Sequence, residues 1–124
     1  MYQNREFKHR SFSESFHNAR KGLTYAFIHE RNIRRMTFLG TAAVTAGIVF
    51  RISRIEWLAL VLTVGLVFSA ELINTLVEYL CDLFRPKYDL RIKVLKDLAS
   101  AIPLFASGIS LIVAALIFVP KFFR

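Results

Sequence analysis

The stretch Leu98–Pro120, LASAIPLFASGISLIVAALIFVP, runs for twenty-three residues without a charged side chain. A helix needs about 20 mostly apolar residues to cross the hydrocarbon core of a bilayer, and this run meets that length unaided. Two shorter uncharged runs precede it, Met36–Phe50 with fifteen residues and Trp57–Ala70 with fourteen. They reach spanning length when neighbouring polar residues lie near the interface or face a protein interior. The chain around these runs has 124 residues, 55% hydrophobic and 21% charged, with a formal net charge of +8 and a mean hydropathy of +0.44. That is one unit, too small for Rossmann, TIM-barrel or kinase-fold enzymes. Its one cysteine, Cys81, has no partner for an internal bridge, which excludes a disulfide scaffold.

Placement of the basic residues orients the spans. Residues 1–35 hold eight Lys/Arg and residues 85–96 hold five, whereas Arg51, Arg54, Lys121 and Arg124 fall in the alternate segments. Three spans put thirteen on one side against four on the other, and the positive-inside rule makes the richer side cytoplasmic. The N-terminus and the second loop are therefore predicted to be cytoplasmic. The polar N-terminus is not read as a signal peptide. Basic residues that flank spans meet anionic head groups, and without a recognition motif no nucleic-acid partner is expected.

Ahead of the spans, Phe12, Phe16, Ala19, Leu23 and Phe27 recur every three or four residues, one apolar face of a helix. Ser11 and Glu14 form a capping-box pattern at its start. This predicts an amphipathic helix on the cytoplasmic interface. The segments read as 1–34 at the surface and helices over about 35–52, 55–84 and 92–120, an all-α integral membrane domain. Pro86 breaks the chain, Lys87–Asp89 reads as a turn, and Pro103 predicts a kink in the last span.

Chemistry enters in the second span. Glu71-Leu-Ile-Asn74-Thr-Leu-Val-Glu78-Tyr-Leu-Cys-Asp82 continues the apolar run without a break. At about 100° and 1.5 Å per residue, Glu71, Asn74, Glu78 and Asp82 share an arc roughly 80° wide and about 16 Å long. An intramembrane charge costs about 2.5–3.5 kcal/mol at mid-bilayer, and like charges on one stripe repel, so something positive must oppose them. Mg²⁺ with substrate phosphates satisfies that need with one or two carboxylates, the combination used in phosphoryl transfer. A proton or cation pathway and an interhelical ion-pair network, as in a non-enzymatic oligomeric subunit, are the competing readings. Glu30 before the first span and Lys96-Asp97 before the third bring acid and base to the same depth. Three spans cannot enclose a polar stripe alone, so an oligomer is expected.

The pattern E-x-x-N-[ST]-x-x-E-x-x-x-D from Glu71 to Asp82, joined to Lys96-Asp97, resembles the small prokaryotic diacylglycerol kinase family. Lys21-Gly22-Leu23 and Glu30-Arg31-Asn32 match it upstream, and Ser53-Arg54-Ile55-Glu56-Trp57 resembles its undecaprenol kinase branch. The resemblance runs over about residues 12–121. It implies an ATP- and Mg²⁺-dependent lipid kinase, with a surface helix and three transmembrane helices, assembled as a homotrimer in the bacterial inner membrane. It implies Glu71 as general base on the lipid hydroxyl, with Asn74 positioning a substrate. Glu30 and Glu78 become metal ligands. Asp82, Lys96 and Asp97 lie at the nucleotide, with Asn18 and the turn Lys87-Tyr88-Asp89 around it. Ser100 and Arg34 fall toward the lipid. Undecaprenol is favoured as acceptor, with diacylglycerol as the alternative.

Overall fold

The computed structural model describes residues 11–84 and 89–124, which form four helices and no strand. Helix α1 covers Phe12–His29, α2 Arg31–Val49, α3 Arg54–Phe84 and α4 Leu90–Phe122. Ser11 caps α1, its Oγ accepting from the Glu14 N–H at 3.2 Å, as the S-x-x-E pattern predicts. Phe12 and Phe16 remain 88% and 66% exposed, and only Ala26 of α1 is buried. The apolar face of α1 is thus left uncovered by the other described residues.

The helical path breaks at Glu30, which is extended (φ −102°, ψ 115°). The break falls ahead of the boundary expected near residue 34, so Arg31, Arg34 and Arg35 form the first turns of α2. Arg34 braces the corner, donating from one guanidinium nitrogen to the carbonyls of Phe27 (3.1 Å) and Ile28 (2.6 Å). These are orphan carbonyls at the C-terminus of α1, and an arginine there also suits the helix dipole.

A tight turn joins α2 to α3. Arg51 takes a left-handed conformation (φ 49°), and the Ile52 N–H donates to the Gly47 carbonyl at 3.2 Å while the Ile52 side chain is buried. This is a Schellman-type end with its apolar contact. Ser53 and Glu56 then cap α3 reciprocally: Ser53 N–H to Glu56 Oε2 at 2.6 Å, and Glu56 N–H to Ser53 Oγ at 3.3 Å.

Helices α3 and α4 form an antiparallel pair. Asp82 meets Lys96, Ala70 packs with Ala106, Leu60 with Ile117, and Glu56 meets Lys121, so the two helices stay in step along their length. Helix α2 lies against α3 at two glycines. A Cβ on Gly40 would stand 3.1 Å from Val64 Cγ1, and one on Gly47 2.9 Å from the Trp57 ring. Helix α4 runs unbroken through Pro103 and Pro120. Because proline has no N–H, the Ala99 carbonyl loses its usual helical donor.

Helices α3 (31 residues) and α4 (33 residues) are long and apolar enough to cross a membrane. Only 28% and 17% of their most apolar windows are buried, whereas a soluble protein's core helix would be covered. Leu62, Leu83, Leu104, Phe105, Leu111 and Leu116 all stand more than half exposed. An apolar surface of that extent belongs in lipid or against other helices. Helix α2, with three arginines at its start, does not pass the same test of length and apolarity.

Candidate active site

Glu71 and Asn74 are 7% and 6% exposed, and together with Thr63 they are the buried polar side chains among the described residues. Glu71 Oε2 and Asn74 Oδ1 are fully buried and meet no hydrogen-bond partner there. Asn74 Nδ2 reaches Glu78 Oε1 at 3.4 Å, a long bond that fixes the amide with its oxygen turned away. An unmet buried acceptor typically costs about 1–3 kcal/mol. Two of them one helical turn apart mark a place where the chain alone does not complete its own bonding.

Toward the charged end the stripe becomes wetter and meets its counter-charge. Lys96 Nζ donates to Asp82 Oδ1 at 2.5 Å, joining α4 to α3, with the two side chains 39% and 65% exposed. Asp97 points elsewhere and pairs with Lys93 at 2.7 Å, one turn earlier on α4. The adjacent Lys96 and Asp97 lie about 100° apart around the helix, so only Lys96 meets the stripe of α3.

Glu30 is brought to this end from the α1–α2 corner. Its Oε1 accepts from the Tyr79 hydroxyl at 2.7 Å. Tyr79 follows Glu78 directly, so two carboxylates that are 48 residues apart in the chain come to one level of the helix bundle. Among the described residues no three His, Cys, Asp or Glu side chains converge as a metal cage.

The remaining predicted residues scatter around this core. Ser100 is exposed, and its Oγ donates to the Lys96 carbonyl at 3.0 Å. Asn18 is exposed on α1, two turns before Tyr25 on the same face. Asp89 caps α4, accepting from the Arg91 N–H at 2.8 Å. Arg34 serves the corner described above. Lys87 and Tyr88 lie outside the described residues.

Deeper along α3, a cavity of about 340 Å³ opens between α2, α3 and α4, lined by Met36, Gly40, Val64, Val67, Ser107 and Ser110 among others. Its size is that of small-ligand pockets, about 300–1,000 Å³. Two of its hydroxyl residues are turned to their own helices: Thr63 Oγ1 donates to the Ala59 carbonyl at 2.6 Å and Ser110 Oγ to the Ser107 carbonyl at 2.7 Å. Beside these and Ser107, the wall is made of apolar residues. Val67, which packs with Met36, Ala70 and Ala106, lines the cavity one helical turn before Glu71.

Sequence reasoning missed Tyr79 and its companions. Tyr25 stacks on His29 (centroids 4.1 Å) and faces Tyr79 at 6.3 Å. Tyr79 lies about 80° from Glu71 around the helix, roughly 60° outside the polar arc, so helical periodicity did not single it out.

The family model for prokaryotic diacylglycerol kinase matches residues 17–118. The chain is 34% identical over 110 residues to the undecaprenol kinase of Bacillus subtilis, covering 89% of each chain. It is 36% identical over 107 residues to the diacylglycerol kinase of a Synechocystis species, covering 86% of this chain and 61% of that relative.

Proposed function

The chain belongs to the prokaryotic diacylglycerol kinase family, and from that premise we propose that it phosphorylates the hydroxyl of a membrane lipid with ATP and Mg²⁺. The observation that carries this reading is the buried Glu71–Asn74 pair with its two unmet oxygens, between an apolar cavity on one side and the charged end of α3 on the other.

Glu71 is the general base. It accepts the lipid hydroxyl proton as that oxygen attacks the γ-phosphorus and the bond to the bridging oxygen of ADP breaks. Asn74, tied to Glu78, presents its amide oxygen beside it and orients the acceptor. Glu78 and Glu30 are hard oxygen donors at one level, the ligand type Mg²⁺ takes, and would hold it there. The ion, when bound, neutralises charge on the transferring phosphoryl group. Lys96, held by Asp82, supplies positive charge for the nucleotide phosphates. Asp97, Asn18 and Asp89 surround the nucleotide, and Ser100 lies toward the lipid. The cavity beside Val67 accommodates part of the acceptor's hydrocarbon, so substrate arrives sideways from the bilayer and ATP from the cytoplasm.

Helix α2 is the first of three spans, and the exposed faces of α3 and α4 support assembly as a homotrimer in the bacterial inner membrane. Undecaprenol is the preferred acceptor, on the Ser53–Trp57 pattern and on the relative matched over 89% of both chains; diacylglycerol is the alternative. The test is transfer of labelled γ-phosphate from ATP to undecaprenol and diacylglycerol presented in parallel. Glu71→Gln should lower turnover at least about 100-fold, the worth of a general base, with membrane insertion unchanged. Full turnover in that variant would remove Glu71 from its role, and no transfer to either lipid by the parent protein would overturn the activity itself.

A further inference from the structure

Glu30 is the residue preceding α2, where a short Ser, Thr, Asp or Asn side chain would accept from the helix's first free N–H groups. It makes no such bond. Its side chain reaches instead across to α3, a hydrogen bond spanning 49 residues of sequence, to the Tyr79 hydroxyl. The backbone at Glu30 has the extended conformation usual just before a helix. Tyr79 is in turn steadied from α1, where Tyr25 lies 6.3 Å from its ring and stacks on His29, whose Nδ1 bonds the Tyr25 carbonyl at 2.9 Å. The Glu30 side chain thus makes a long-range contact, to the residue next to Glu78, in place of a local one.

We infer that Tyr79 is a positioning residue whose hydroxyl holds the Glu30 carboxylate at the level of Glu78, setting the spacing of the two acids for one divalent cation on nucleotide phosphates. This rests on the reading of Glu30 and Glu78 as metal carboxylates. Tyr79→Phe keeps the ring and removes only the hydroxyl. Without it, Glu30 is released to cap α2 or to solvent, and the cation must reorder it on binding.

Binding of Mn²⁺ to the purified protein in lipid nanodiscs, with a non-hydrolysable ATP analogue, is followed by the electron paramagnetic resonance signal of free Mn²⁺. Tyr79→Phe should weaken Mn²⁺ binding by about tenfold or more, in keeping with one hydrogen bond to a charged group. It should raise the Mg²⁺ concentration for half-maximal turnover to match, with kcat at saturating Mg²⁺ and KM for the lipid within twofold. Glu30→Gln should weaken Mn²⁺ binding too, and adding Tyr79→Phe to it should cost little more, because the two act through one contact. Unchanged Mn²⁺ affinity in Tyr79→Phe, with Glu30→Gln and Glu78→Gln both weakened, would overturn the inference alone, as would additive losses in the double variant. Unchanged affinity in all three would overturn the metal reading beneath it.

Discussion

Glu71 and Lys96, near the two ends of the polar stripe of α3, differ in burial: Glu71 is 7% exposed, whereas the Lys96 side chain, reaching over from α4, is 39% exposed. Replacing Lys96 by Met should therefore act on the nucleotide, raising KM for ATP by about tenfold or more while leaving KM for the lipid unchanged; steady-state kinetics with each substrate varied in turn separate the two. Metal removal belongs to the same scale. Chelation by EDTA should abolish phosphate transfer, Mg²⁺ should restore it, and Glu78→Gln should need more Mg²⁺ than the parent. Glu71, Asn74, Glu78 and Asp82 were legible as one face because helical periodicity alone sets their angles. The Glu30–Tyr79 bond was not legible, because no local rule relates residues on different helices.

At the scale of elements, the α2–α3 turn and the glycine contacts decide how closely the helices approach. Gly47 leaves no room for a side chain under Trp57. Gly47→Leu should destabilise the fold by about 1–3 kcal/mol, the range for overpacking, and lower the thermal unfolding midpoint in detergent. Arg51 sits in the left-handed region, which disfavours an L side chain by about 1–2 kcal/mol. Arg51→Gly should thus raise the same midpoint or leave it unchanged, and a fall would show that the arginine side chain contributes more than its backbone strain costs. Helix α1 and its Ser11 cap followed from sequence directly, since capping chemistry and a 3.6-residue repeat are local signals. The reciprocal Ser53–Glu56 cap carries the same S-x-x-E pattern, but it stands inside a stretch that was read only for its family resemblance.

For the whole molecule, the exposed apolar faces of α3 and α4 and the open side of α1 mean that one chain does not complete its own surroundings. The protein in mild detergent should have the mass of a homotrimer by light scattering with the detergent contribution subtracted, and a monomer retaining full turnover would contradict the proposed assembly. Sequence by itself determined the all-helical character, two of the membrane-length helices, the order of Glu71, Glu78 and Asp82 along α3, and the kinase-family pattern. All of these depend on spacing within one helix or on local hydropathy, which a chain carries before it folds. Only the tertiary structure decided which cation meets the stripe, pairing Lys96 with Asp82 and turning Asp97 to Lys93. It likewise set the corner at Glu30, the Tyr79 contact, and the cavity between α2 and α4 that ends near Glu71. Those features depend on the rotation and register of packed helices, which side-chain volumes such as Gly40 against Val64 and Ala70 against Ala106 set jointly.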